Sequence, residues 1–174
     1  MKMKTVNLEM ELKNYTGEVR HMFEQVGLSD RLPTDLTIKL NNRLKVAIGK
    51  CKRRGNKYTV EFSTTHFKGY VEKGMHKEIL NTLAHEFCHA LPNGMNHGYQ
   101  WKSYAGIVDR KYKLGIQRLA ETDPVIKEMN QKIKESRTEL TCMSCGNKFY
   151  ITSKHGYFKN PSNYHCNCGG KITK

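Results

Sequence analysis

"LNTLAHEFCHALPNGMNHGYQWKSYA" (Leu80–Ala105) gathers three histidines and a glutamate in a 174-residue chain otherwise rich in lysine. Apolar Leu83, Ala84, Phe87 and Ala90 surround His85, Glu86 and His89 at helical spacing. Pro92 and the turn pair Asn93-Gly94 then stop the pattern, so His76–Leu91 is expected as one α-helix. Each helical residue advances about 100°, which leaves His85 and His89 roughly 40° apart around the axis and one turn apart along it. Their imidazoles can converge on one cation. Glu86 lies at the edge of the same face, where a carboxylate can take a proton from an activated water without itself being a ligand. A hydrolytic zinc site uses three protein ligands and keeps a fourth position open. His97, returned by the turn, is the nearest third ligand. Cys88, inside the motif, reads as a small buried hydrophobe, and His21, His66, His76 and His155, which lack matching spacing, read as surface or core histidines.

Around this helix the pattern is α+β. Leu8, Leu12, Tyr15, Val19, Met22, Phe23 and Val26 mark one face of an amphipathic helix that Gly27 can end. Alternating residues predict a small antiparallel sheet over Leu36–Leu40, Leu44–Lys50 and Tyr58–Phe62, with "RRGN" as a hairpin turn. Trp101, Tyr104, Ala105, Val108 and Tyr112 keep helical spacing in a third helix. Asp123 as cap and Pro124 at the first helical position begin a fourth, striped by Val125, Met129 and Ile133.

After Arg137 the composition shifts to cysteine, glycine, asparagine and aromatics, which sets an expected boundary between a domain at 1–137 and a small one at 138–174. Cys142 and Cys145 form a two-residue knuckle, and Cys166 and Cys168 a tighter one, each near a glycine turn. Two knuckles joined by a short hairpin make a zinc ribbon with a closed structural site. His165 is at the more usual spacing from Cys168, but Cys166 is favoured because two thiolates then match the first pair. So short a segment cannot bury a core large enough to fold alone, whereas zinc can supply roughly 10–16 kcal/mol of apparent folding free energy. The expected cofactors are therefore two zinc ions, one catalytic and one structural.

"NTLAHEFCHA" followed by "HGYQWKSYA" resembles the SprT-like zinc metalloproteases, the family that includes Spartan. In that family the two-histidine helix is followed by a His-Gly-x-x-Trp element carrying the third ligand, which His97, Gly98 and Trp101 match. The metzincin pattern would need its third histidine at Met95. The resemblance implies peptide-bond hydrolysis with His85, His89 and His97 as ligands and Glu86 as general base, on proteins crosslinked to DNA. It also implies a C-terminal zinc module. An oxyanion would need a donor beyond the zinc; Tyr99 and Tyr104 are both near in sequence, and spacing does not choose between them.

The net charge of +14 and pI of about 9.6 would attract polyanions. From Lys39 to Lys57 there are eight basic residues and no acid, and Lys50, Lys52, Arg53, Arg54 and Lys57 crowd the hairpin turn as expected DNA contacts. A solvated edge strand blunted by charge explains the same run. No stretch approaches the roughly 20 apolar residues of a membrane span, and the first residues carry no leader pattern. A cytoplasmic, monomeric protein with reduced cysteines is the expectation. A non-catalytic zinc protein that binds nucleic acid, and a general peptidase with a merely soluble basic surface, are the rival readings.

Overall fold

The computed structural model describes residues 7–45, 47–117, 127–128, 131, 137–151 and 155–174. The chain divides into two compact units, Met1–Glu121 and Thr122–Lys174.

In the first unit, helix α1 (Leu8–Gln25) begins where the Asn7 side chain accepts a hydrogen bond from the Met10 N–H, and it buries Leu12, Tyr15, Val19, Met22 and Phe23. Gly27 ends it at a φ of 69°, a left-handed turn open to glycine. Strands β1 (Leu36–Asn41), β2 (Gly49–Arg54) and β3 (Lys57–Ser63) form a sheet in the order β1-β3-β2. The hairpin turn falls where expected: Arg54 faces Lys57 across Gly55-Asn56, and Gly55 supplies a positive φ of 59°.

Two sheet expectations are corrected. β1 runs parallel to β3, so the sheet is mixed and not antiparallel throughout. The second strand in the chain, β2, starts at Gly49 instead of Leu44, because the chain leaves β1, crosses β3 and comes down on its far side. That crossing spans two strand spacings, close to 10 Å, and consumes residues 42–48. Ser63 ties the crossing down, donating from its hydroxyl to the Leu44 carbonyl (2.7 Å) and from its backbone to Ile48 (2.7 Å). Alternation reports which face a side chain takes, not the direction of the neighbouring strand.

Helix α2 (Thr64–Glu72) is short, contains Gly69, and has too few apolar positions to announce itself by periodicity. It forms because His66, Phe67 and Tyr70 are buried. Helices α3 (His76–Ala90) and α4 (Tyr99–Tyr112) follow close to expectation. Phe62 packs edge-on against Phe67 (centroids 5.1 Å apart) and Phe23 against Phe87 (5.4 Å), so the core lies where α1, α2 and α3 meet the sheet. Most of the expected fourth helix beginning at Asp123-Pro124 lies outside the described residues.

In the second unit β4 (Thr138–Cys142) pairs antiparallel with β5 (Lys148–Ile151) and with β6 (Ile172–Thr173). Its buried cluster is small: Leu140, Cys142, Tyr157, Cys166 and Ile172, flanked by Phe149 and Ile151. No helix among the described residues is long and apolar enough to cross a membrane.

Candidate metal centre

Helix α3 places His85 and His89 one turn apart, and the chain reverses immediately after it. Asn93 takes a left-handed φ of 59° and the Gly94 N–H closes on the Leu91 carbonyl (2.9 Å). Gly94 cannot be another residue without movement, because a Cβ there would lie 2.1 Å from the Cys88 carbonyl oxygen. This turn returns His97, and the three Nε2 atoms form a nearly equilateral triangle with sides of 3.2, 3.1 and 3.1 Å.

The ring orientations say what the triangle is for. His89 Nδ1 faces the Gly94 carbonyl at 2.7 Å and His85 Nδ1 faces the Gln117 carbonyl at 2.9 Å. A carbonyl only accepts, so both Nδ1 atoms carry the proton and both Nε2 atoms present lone pairs. Lone pairs aimed at one another repel unless a cation lies among them. The sides compare with an edge of about 3.3–3.4 Å for a tetrahedron of nitrogens around zinc. The donor set therefore fits a zinc-type ion. Burial, with His89 and His97 alongside, lowers the His85 pKa to about 4, keeping the imidazole neutral as a ligand must be. Trp101 backs the group with ring centroids 4.7, 5.6 and 4.6 Å from His85, His89 and His97.

Glu86 is 6% exposed and rests against strand β2. A Cβ on Gly49 would come within 2.6 Å of its Oε1, so the strand approaches this closely only because residue 49 has no side chain. Burial raises the Glu86 carboxyl to about 7, against the lowering effect of a hydrogen bond from the Cys51 backbone N–H. A carboxyl titrating near neutrality is suited to accept and return a proton. Cys88 is fully buried and burial pushes its thiol far up, in keeping with a hydrophobe. Tyr104 is buried and donates to the Pro92 carbonyl (3.2 Å), whereas Tyr99 is 84% exposed at the start of α4.

In the second unit the sulfurs of Cys142, Cys145, Cys166 and Cys168 all lie within 4.8 Å of one another. Cys142 is 3.6 Å from Cys168 and Cys145 is 3.5 Å from Cys166, too long for disulfides and close to the edge of about 3.8 Å for sulfurs around zinc. The Cys145 backbone N–H, with smaller help from Ser144, draws the Cys142 thiol down to about 6. His165 stands outside this group, and its backbone pairs antiparallel with Lys171.

The hairpin cations are less alike than the sequence suggests. Glu61 on β3, only 5% exposed, takes Lys52 Nζ at 2.7 Å and Asn41 Nδ2 at 2.7 Å, with Lys39 at 3.7 Å. Burial alone would raise the Glu61 carboxyl, but these partners outweigh it and hold it below the usual range. Lys52 is thus engaged within the fold. Arg53 donates to the Gly55 carbonyl (2.9 Å) and stacks over Tyr58 at 5.5 Å, and Lys57 stands 3.8 Å from Asp35. Lys50 and Arg54 are exposed.

Spacing alone did not reveal Trp101 as the wall behind the triad, nor the Gln117 and Gly94 carbonyls that orient two of its rings. Gly49 did carry a signal, since a glycine inside a strand often marks a close approach.

Three imidazoles aimed at one point, two of them on the helix that carries a buried glutamate, make a candidate zinc-type site in an α+β fold. Residues 16–134 match the SprT-like family model, and the chain belongs to the SprT-like family, which is associated with zinc metallopeptidase-like activity. A search of curated proteins returned no match.

Proposed function

We propose that this protein is a zinc-dependent endopeptidase that cleaves proteins associated with or crosslinked to DNA, and that its second unit is a structural zinc ribbon. The observation that carries the hydrolytic reading is the pairing of a lone-pair triangle with Glu86, the next residue along α3 from His85. A site that only stabilises structure has no use for a buried carboxylate there.

Bound zinc would polarise the scissile carbonyl and acidify the attacking water. His85, His89 and His97 would hold the ion, while Cys142, Cys145, Cys166 and Cys168 would hold the structural one. Glu86 accepts the proton as the water oxygen adds to the carbonyl carbon, then returns it to the amine nitrogen as the C–N bond breaks. Its seat against Gly49 and the Cys51 N–H limits where the carboxylate can go.

The DNA reading rests on charge. Besides the net +14, Arg54 and Lys57 face each other directly across the hairpin end, a like-charge pair that Asp35, 3.8 Å from Lys57, offsets only on one side. Lys50, Arg53, Arg54 and Lys57 are the proposed phosphate contacts, and Lys52 is withdrawn to the Glu61 cluster.

The test is proteolysis of a basic DNA-binding protein, with and without DNA, by the wild type and by Glu86→Gln. Cleavage that needs DNA and falls by about two to four orders of magnitude in Glu86→Gln, with zinc content unchanged, is expected. DNA-independent cleavage would favour a general peptidase. Unaltered cleavage by Glu86→Gln would remove its role as base.

A further inference from the structure

We infer that Asn81 and Asp109 are positioning residues that lock the segment Lys113–Gln117 as a strap, so that the Gln117 carbonyl holds His85 in the ring orientation a metal ligand needs. This rests on the reading of the three histidines as a metal site.

The two Nδ1 partners differ in origin. His89 finds its carbonyl on Gly94, five residues along in the turn that ends its own helix, so local geometry suffices. His85 takes its carbonyl from Gln117, 32 residues away and beyond α4. Gln117 itself is exposed and belongs to no helix or strand, so something else must present its carbonyl at 2.9 Å.

Three fixings do so. Leu114 is buried at 6% exposure, anchoring the segment after Lys113 turns it through a left-handed φ of 53°. The Asp109 carboxylate accepts from two consecutive backbone N–H groups, Gly115 at 2.5 Å and Ile116 at 3.3 Å. From the other side the Asn81 amide nitrogen donates to the Leu114 and Gly115 carbonyls, both at 3.0 Å. Both partners only accept, so the group facing them must be the NH2, and it spends both hydrogens there. Asn81 lies one helical turn before His85 on the same face of α3. The helix that carries the ligand therefore also carries the clamp for the segment that orients it. Such outer partners set ring tautomer, and losing one typically costs roughly 10–100-fold in metal affinity.

The substitution Asn81→Asp keeps the shape, removes both donors and turns an oxygen towards two carbonyls. Asp109→Ala loosens the strap from the other side. Two readouts separate positioning from general damage. The first is nitrogen-15 NMR of the metal-free chain, in which wild-type His85 is expected as a single Nδ1–H tautomer and both variants as a mixture, with His89 unchanged. The second is zinc competition against a chelator in the full chain, with the cysteine site as internal control. The triad of each variant is expected to weaken roughly 10–100-fold while the cysteine site holds as in wild type. Unchanged tautomer and unchanged triad affinity in both variants would overturn the strap. A wild-type chain that binds no zinc at the triad would overturn the parent reading, and this inference with it.

Discussion

The two candidate metal sites sit in folds of opposite kind. Around the histidine triad lies a core with fully buried Phe23, Phe62, Phe67, Tyr70, Ile79, Leu83 and Phe87, and two of the histidines are oriented by main-chain carbonyls, His89 by nearby Gly94 and His85 by distant Gln117. Around the four cysteines the hydrophobic cluster among the described residues has five buried members, two of them candidate ligands, and Cys145 and Cys168 are exposed. In the first unit the fold makes the site. In the second the proposed zinc would make the fold, because so small a cluster cannot offset the chain entropy of ordering it.

The sharpest break in that comparison comes from removing one ligand on each side. Cys142→Ser should melt the second unit, since roughly 10–16 kcal/mol of apparent binding free energy goes with its zinc. His89→Ala should lose its own equivalent of metal while the first unit stays folded. Elemental analysis with amide NMR reads both. A second unit that remains ordered in Cys142→Ser would erase the contrast.

Each site also leans on a glycine, and the two should fail differently. Gly49→Ala pushes a methyl to within 2.6 Å of the Glu86 carboxylate, so cleavage should fall roughly 100-fold with zinc retained. Gly170→Ala would meet Cys142 Sγ at 2.7 Å, a ligand atom, and should loosen zinc instead. Normal kcat in Gly49→Ala would show that the strand does not position Glu86.

Acid probes the first site more gently. In the metal-free chain His85 titrates near 4 against about 6.5 unfolded, so the unfolded state binds more protons between those values and stability rises with pH across that window. Glu86 works the other way: its carboxyl is raised to about 7 from 4.5, so stability falls as pH rises from 4.5 through 7. The two offset each other where the windows overlap. Metal-free Glu86→Gln should therefore melt above wild type at pH 8, by about 3 kcal/mol at most, and the gap should close below pH 4.5. Equal melting at both pH values would mean the buried carboxyl carries no such cost.

The smallest effect concerns the hairpin, whose cations belong to neither site. Lys50→Glu with Arg54→Glu should flatten the salt dependence of DNA affinity by about one log–log unit per lost contact and leave zinc content alone. Lys52→Ala should act on stability, because it strips the nearest cation from buried Glu61. Gel shifts at two salt concentrations and a thermal melt decide between these roles. An unchanged slope in the double variant would leave the hairpin merely solvated.

What the sequence determined by itself is what short spacing can carry. The i, i+4 histidines, the Pro-Asn-Gly stop, the Gly55-Asn56 hairpin and the paired cysteines depend on backbone geometry over a few residues, so they could be read without knowing the fold. Tertiary structure decided everything that depends on a distant partner. It ran β1 parallel to β3, made a helix of Thr64–Glu72, set Gly49 beneath Glu86, spent Lys52 on Glu61, and brought Gln117 to His85. Periodicity says which face of an element is apolar, but many neighbours satisfy an apolar face. Only packing of the whole unit, with every buried polar group needing its own partner, selects among them.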